Sequence, residues 1–87
     1  MYRVELKPGA EEFIAAQEKK VQRQLLERIA ALAENPYPRG CRKLDEKEAL
    51  YRVRSGDYRI IYQVRDKELL VLVVRVGDKK DVYRFIS

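Results

Sequence analysis

The sequence predicts an α+β domain: a small, mostly antiparallel four-stranded sheet with an N-terminal helical hairpin on one face, in the order βααβββ. Three observations predict it. Residues 2–6 alternate polar and apolar ahead of Pro8-Gly9, helix-period apolar positions fill the stretch up to Asn35-Pro36, and three strand-like segments follow between Leu50 and Val76. With 87 residues the chain is expected to form one domain, residues 1–87. A domain of this size buries only about 60 to 65% of its unfolded surface, so polar residues that intrude on a strand need a reason.

Tyr2-Arg3-Val4-Glu5-Leu6 reads as the first strand. Pro8 suits the first turn of a helix running through Phe13 and Ile14, since its missing N–H would be unpaired there anyway. Val21, Leu25, Leu26, Ile29, Leu32 and Ala33 form a second helical stripe whose phase does not continue from Phe13 and Ile14. The break is placed near Glu18-Lys19-Lys20, giving two antiparallel helices, with one long helix as the alternative. Asn35-Pro36-Tyr37-Pro38-Arg39-Gly40 ends the second helix. Cys41 to Glu48 reads as a charged connector anchored only by Leu44. Strands are predicted at about Leu50 to Arg54, Tyr58 to Arg65 and Leu69 to Val76, with Gly77-Asp78 ending the last and Asp81 to Ser87 forming a short tail.

Composition excludes several chemistries. The chain has no histidine, which removes the commonest general base and metal ligand, and its one cysteine, Cys41, allows neither an intrachain disulfide nor a cysteine metal cluster. No metal or cofactor is expected. The N-terminus does not read as a signal peptide, and the longest apolar run, Leu69 to Val74, is far short of the roughly 20 residues of a membrane helix, so a cytoplasmic protein without membrane contact is expected. The net charge of +5 is asymmetric: residues 1–38 balance, whereas residues 39–87 carry thirteen basic against eight acidic side chains. The partner-facing half is the C-terminal one, and its charge suits a nucleic acid or an acidic protein.

The residues with most to explain lie in Leu50-Tyr51-Arg52-Val53-Arg54-Ser55-Gly56-Asp57-Tyr58-Arg59-Ile60-Ile61-Tyr62. With Ser55-Gly56 as a two-residue turn, Arg54 would face Asp57, and Arg52 would face Arg59. Strand alternation puts Arg52, Arg54 and Arg59 on one face, with Ile61 and Gln63, and leaves Tyr51, Val53, Tyr58, Ile60, Tyr62 and Val64 to pack on the helices. Solvated spacer arginines are common on exposed strands. Two on one strand with a third opposite them carry a like-charge cost, which a bound polyanion would relieve. Just past the last strand, Lys79 and Tyr83 add a basic and a phenolic group four residues apart, whereas Val82 and Phe85 read as core plugs. Guanidinium groups stabilise the charge that builds on a phosphate during cleavage, and RNA brings its own nucleophile in the 2′-hydroxyl. A metal-free, histidine-free site of this kind would therefore cut RNA, leaving a 2′,3′-cyclic phosphate and a 5′-hydroxyl.

The stretch from Leu50 to Val64, together with Val76-Gly77-Asp78-Lys79-Lys80-Asp81-Val82-Tyr83, resembles the RelE/ParE toxin family, and the likeness extends over nearly the whole chain. The resemblance implies a RelE-like toxin domain of a type II toxin–antitoxin system, an mRNA endonuclease (mRNA interferase) acting at the ribosomal A site. It also implies an antitoxin of the RelB kind that lays an acidic or amphipathic helix across the basic face, the toxin being monomeric alone and part of a higher oligomer with its antitoxin. On the family pattern the catalytic residues fall on Arg52, Arg54, Arg59, Lys79 and Tyr83. Well-known bacterial members carry lysines at the positions of Arg52 and Arg54 and an arginine at that of Lys79. Arginine gives up a proton poorly, so Arg52 and Arg54 are cast as charge stabilisers, and Tyr83 or Lys79 as the base. Two other functions fit the same family or charge: a ParE-like, non-enzymatic inhibitor of DNA gyrase, and a non-catalytic basic RNA-binding module.

Overall fold

A computed structural model describes residues 1–80 and Val82. The elements run β1 (Arg3–Leu6), α1 (Pro8–Ala15), α2 (Lys19–Glu34), β2 (Arg42–Asp45), β3 (Leu50–Ser55), β4 (Tyr58–Arg65), a 3-10 turn (Asp66–Glu68) and β5 (Leu70–Asp78). Pro8 opens α1 as expected. The two helices separate at Ala16-Gln17-Glu18, where the sequence offers neither glycine nor proline. Side-chain amides hold the joint instead: Gln22 Nε2 donates to the Ala15 carbonyl at 3.0 Å, and Gln17 Nε2 donates at 3.1 Å to the Phe13 carbonyl, which also accepts from the Ala16 N–H at 3.3 Å, so the last carbonyls of α1 are partnered. In α2 the buried stripe is Leu25, Ile29 and Leu32. It is narrower than the predicted one, because Leu26 is turned outward and 47% exposed.

Among the described residues the strands form one five-stranded sheet in the order β1-β5-β4-β3-β2, with β1 parallel to β5 and every other pair antiparallel. The sheet is thus mixed and has one strand more than the four predicted. The additional strand is β2, drawn from the segment read as a charged connector. An edge strand at the rim needs no fully buried side chain, and charge on it discourages pairing with other chains, so its composition carries little strand signal. Gly77 and Asp78, read as ending the last strand, lie inside β5 and pair with Arg59 and Tyr58.

The β3–β4 hairpin also turns one residue later than expected. Ser55 pairs with Tyr58 and Arg54 with Arg59, so the loop is Gly56-Asp57, with Gly56 at φ +61°. A positive φ at the first central position is the type II′ requirement, and glycine meets it without the steric cost of a Cβ. Opposing pairs therefore shift by two residues: Arg54 rather than Arg52 faces Arg59, and Arg52 faces Ile61. A shift of two preserves which side chains share a face.

One side of the sheet packs on the helices. Val53, Ile60, Tyr62, Val64, Val71, Val73 and Val76 meet Ala10, Ile14, Leu25, Ile29 and Leu32 in a single core. Tyr51 and Tyr58, expected on this side, pack against it, Tyr58 with its ring 5.9 Å from that of Phe13. No helix among the described residues is long and apolar enough to cross a membrane.

At the end of the sheet away from the hairpin turn, the Tyr2 hydroxyl donates to Asp66 Oδ1 at 2.5 Å, and the Tyr37 hydroxyl lies 2.9 and 2.8 Å from the two oxygens of the same carboxylate. These bonds tie the N-terminus and the loop after α2 to the β4–β5 connection. They hold the Asp66 carboxyl below the usual carboxylate range, because each phenol stabilises the ionised form. A lowered folded pKa contributes stability above the unfolded value of about 4, and that contribution disappears as the pH falls through the folded value. Denaturant titrations at pH 6 and pH 2.5 are expected to show wild-type protein losing more stability on acidification than Asp66→Asn. Equal losses would remove the clamp's role.

Candidate functional site

The face of the sheet turned away from the helices carries the predicted arginines. Arg54 on β3 and Arg59 on β4 are directly opposed, so the like-charge juxtaposition exists, with Arg54 rather than Arg52 in it. Arg54 is exposed and Arg59 half-buried. The Arg59 guanidinium folds back on the turn, Nη1 donating to the carbonyls of Tyr58 at 3.1 Å and Gly56 at 3.3 Å. Two neutral acceptors orient the group without cancelling its charge. The Arg54 carbonyl accepts a bond from Arg28 Nε at 3.0 Å, pinning the end of β3 to α2.

Lys79 reaches the same corner through the backbone. Its N–H donates to the Asp57 carbonyl at 3.1 Å, fastening the end of β5 to the hairpin turn, and its side chain is exposed. Ion pairs among the described residues are Arg3–Glu5, Lys43–Glu46 and Arg65–Glu68, all away from this corner. Three cations thus meet at the turn, and among the described residues no carboxylate is in salt-bridge contact with them, an arrangement suited to an anion with several oxygens.

Arg52 differs from the expectation of an open patch. It is 7% exposed, in a row where it faces Ile61, itself fully buried although it points away from the helices. A guanidinium at this depth is not a solvated spacer. Nearby, Gly77 lies opposite Arg59, and an added Cβ there would come within 3.4 Å of the Val82 Cβ. Val82 is fully buried, as expected of a plug, and its side chain lies against Gly77. Tyr83, and Phe85 with it, lie outside the described residues.

Two further arginines join this face. Arg42 on β2 is opposite Arg52, and Arg75 on β5 is opposite Ile61, so the register reads Arg42, Arg52, Ile61, Arg75 across four strands. Arg42 was hidden in the supposed connector. Arg75 was hidden by a β-bulge: Ile61 pairs with Arg75 and Tyr62 with Val73, so Val74 is inserted and the alternation of β5 reverses. Uninterrupted alternation would have put Arg75 in the core beside Val71 and Val73. That charge in phase with a valine run is the signal that could have revealed the bulge.

The described tyrosines are engaged elsewhere. Tyr2 and Tyr37 hold Asp66, Tyr51 stacks on Tyr62 with centroids 5.9 Å apart, and the Tyr58 hydroxyl lies 3.4 Å from Gln17 Oε1. The Tyr62 hydroxyl donates to the Pro36 carbonyl at 2.7 Å, and burial, followed by its contact with Cys41, pushes its pKa well above the ordinary phenol value. Among the described residues, no cluster of histidine, cysteine and carboxylate side chains could hold a metal ion.

A family model described as the ParE toxin of type II toxin–antitoxin systems matches residues 4–83. An Escherichia coli protein described as RelE-like is 29% identical over 73 residues, which is 80% of this chain and 77% of that protein. The fold is similar to the toxin in the archaeal RelE–RelB complex of Pyrococcus horikoshii, with a TM-score of 0.82 and 29% identity over 93% of this chain and 98% of the other. It is also similar to the toxin in the intact E. coli RelBE complex, with a TM-score of 0.76 and 28% identity over 90% and 96%. With a fold, a family match and relatives that agree over most of its length, the chain belongs to the RelE/ParE family, as a RelE-like toxin of a type II toxin–antitoxin system.

Proposed function

We propose that the protein is a ribosome-dependent endoribonuclease that cuts mRNA in the A site of the cytoplasmic ribosome and so arrests translation. The observation that carries the reading is the corner where Arg54 and Arg59 oppose each other and Lys79 is tied to the same turn. In the reaction the 2′-hydroxyl gives its proton to a base and its oxygen bonds to phosphorus. The bond from phosphorus to the 5′-oxygen breaks, and that oxygen takes up a proton, leaving a 2′,3′-cyclic phosphate and a 5′-hydroxyl. Arg54 and Arg59 hold the phosphate oxygens as negative charge grows on them, and Arg52, nearly buried two residues along β3, supports the charge on the 2′-oxygen from within the sheet. With the other tyrosines occupied, the base is Tyr83 or Lys79.

By similarity to toxins solved with RelB, the partner that silences this site is an antitoxin of that kind, covering the cationic face. Expression without antitoxin is expected to halt translation, with cuts mapping inside ribosome-bound codons and free RNA left intact. Lys79→Met, an exposed substitution, is expected to lower the cleavage rate on programmed ribosomes at least about tenfold, as loss of a proton carrier or of phosphate charge does. Unchanged cleavage would take Lys79 out of the site. The ParE family match favours a second reading, inhibition of gyrase. It predicts DNA damage without mRNA cleavage, and toxicity that survives loss of Arg54 and Arg59.

A further inference from the structure

The arginine face continues toward the far end of the sheet into a groove. Two residues beyond Ile61 on β4, Gln63 sits between Leu50 on β3 and Leu72 on β5, and the groove over them is bordered by Lys7, Glu48 and Arg65. The Gln63 side chain is half-buried and held at both ends of its amide: Nε2 donates to the Glu48 carbonyl at 2.9 Å, and Oε1 accepts from Arg65 Nε at 2.9 Å. Exchanging the amide oxygen and nitrogen would set donor against donor and acceptor against acceptor, so the orientation is fixed. A primary amide has two N–H donors and two lone pairs, and one of each remains.

A fixed amide offering one donor and one acceptor is the group that reads a base edge, adenine above all. The leucines on either side suit the faces of a planar base. Phosphate is disfavoured there, because Glu48 borders the groove and Glu5 lies opposite Leu72 on the same row. Lys7 and Arg65 keep the approach attractive to a polyanion. Gln63 is four residues along β4 from Arg59, about 13 Å at the rise of a strand, a span that single-stranded RNA covers in a nucleotide or two.

We propose that Gln63 is a specificity-determining residue that reads one base of the bound RNA, adenine fitting best, a nucleotide or two from the bond cut at the Arg54–Arg59 pair. This rests on the nuclease reading above. The test uses ribosomes programmed with mRNAs that differ at single positions around the cut, and compares the kcat/KM ratio between bases at each position. Wild-type protein is expected to discriminate at one fixed position, and Gln63→Leu to reduce that ratio at least about fivefold while ratios elsewhere stay. Gln63→Glu, which keeps the size and offers only acceptors, is expected to move the preference from adenine toward cytosine. Arg65→Ala, exposed and dispensable to the core, should weaken the discrimination by releasing the amide oxygen. Cleavage with base ratios unaltered in all three variants overturns the proposal alone, whereas a wild-type protein that cuts no ribosome-bound mRNA overturns the nuclease reading and this inference with it. Unaltered ratios combined with poorer neutralisation by antitoxin would assign the groove to an antitoxin side chain instead.

Discussion

Arg59→Ala is expected to lower mRNA cleavage on programmed ribosomes by about a hundredfold to a thousandfold, the usual loss when one charge-stabilising donor is taken from a developing oxyanion. The size follows from its placement. Arg59 is opposed to Arg54 across the hairpin, half-buried, and oriented by two carbonyls of its own turn, so its charge is preorganised at little cost when the reaction occurs. Stability should move the other way or not at all. Removing one of two opposed cations relieves a repulsion of about 0.2–1 kcal/mol, which offsets the loss of the two bonds to carbonyls of its own turn. Single-turnover cleavage together with urea denaturation separates the two effects. Cleavage that persists in a folded Arg59→Ala protein would sink the site assignment, and loss of fold along with activity would show Arg59 to be structural.

The largest loss of stability is expected at Tyr62. Its side chain is fully buried in the helix-facing core, stacks on Tyr51 and bonds to the Pro36 carbonyl. Truncation to alanine leaves a cavity and an orphaned acceptor, costing about 3–5 kcal/mol. A domain of this size has a total stability of only about 5–15 kcal/mol, so Tyr62→Ala should be largely unfolded under conditions where wild type is native. Tyr62→Phe keeps the ring and loses the hydroxyl, costing about 1–2 kcal/mol. It should leave cleavage intact at low temperature, because Tyr62 faces the helices rather than the arginines. The raised pKa adds a pH signature: the folded protein keeps the phenol protonated while the unfolded chain ionises above about pH 10. This share of the stability is present below pH 10 and is lost as the pH rises beyond it. Wild type should therefore lose its advantage over Tyr62→Phe in alkaline urea titrations, and a constant difference would contradict the assignment.

Both predictions use residues whose face was legible before their partners were. Alternation assigned Arg52, Arg54 and Arg59 to one side and Tyr51, Val53, Tyr58, Ile60 and Tyr62 to the other, and each assignment holds. The pairing did not follow, because either Ser55-Gly56 or Gly56-Asp57 could form the loop. The two choices differ by a register shift of two, to which alternation is blind. The helical hairpin was legible from the phase break after Ile14, although its joint is held by Gln17 and Gln22 rather than by a breaker residue. The fifth strand was not legible, because β2 sits at the edge, where burial does not mark the sequence.

By itself the sequence determined the class of fold, the order of the helices and the main strands, the side of the sheet that bears the arginines, and the absence of histidine chemistry. These depend on local period and composition, which a chain carries in one dimension. The tertiary structure alone decided that Arg54 rather than Arg52 opposes Arg59, that a bulge at Val74 brings Arg75 to the same face, that Arg42 joins from an edge strand, and that Lys79 is fastened to the hairpin turn. Each depends on which backbone groups meet across strands distant in sequence. Register and edge pairing are settled by the hydrogen bonds and packing of the whole sheet, and the bulge leaves only an indirect local trace, the charge of Arg75 in phase with a valine run.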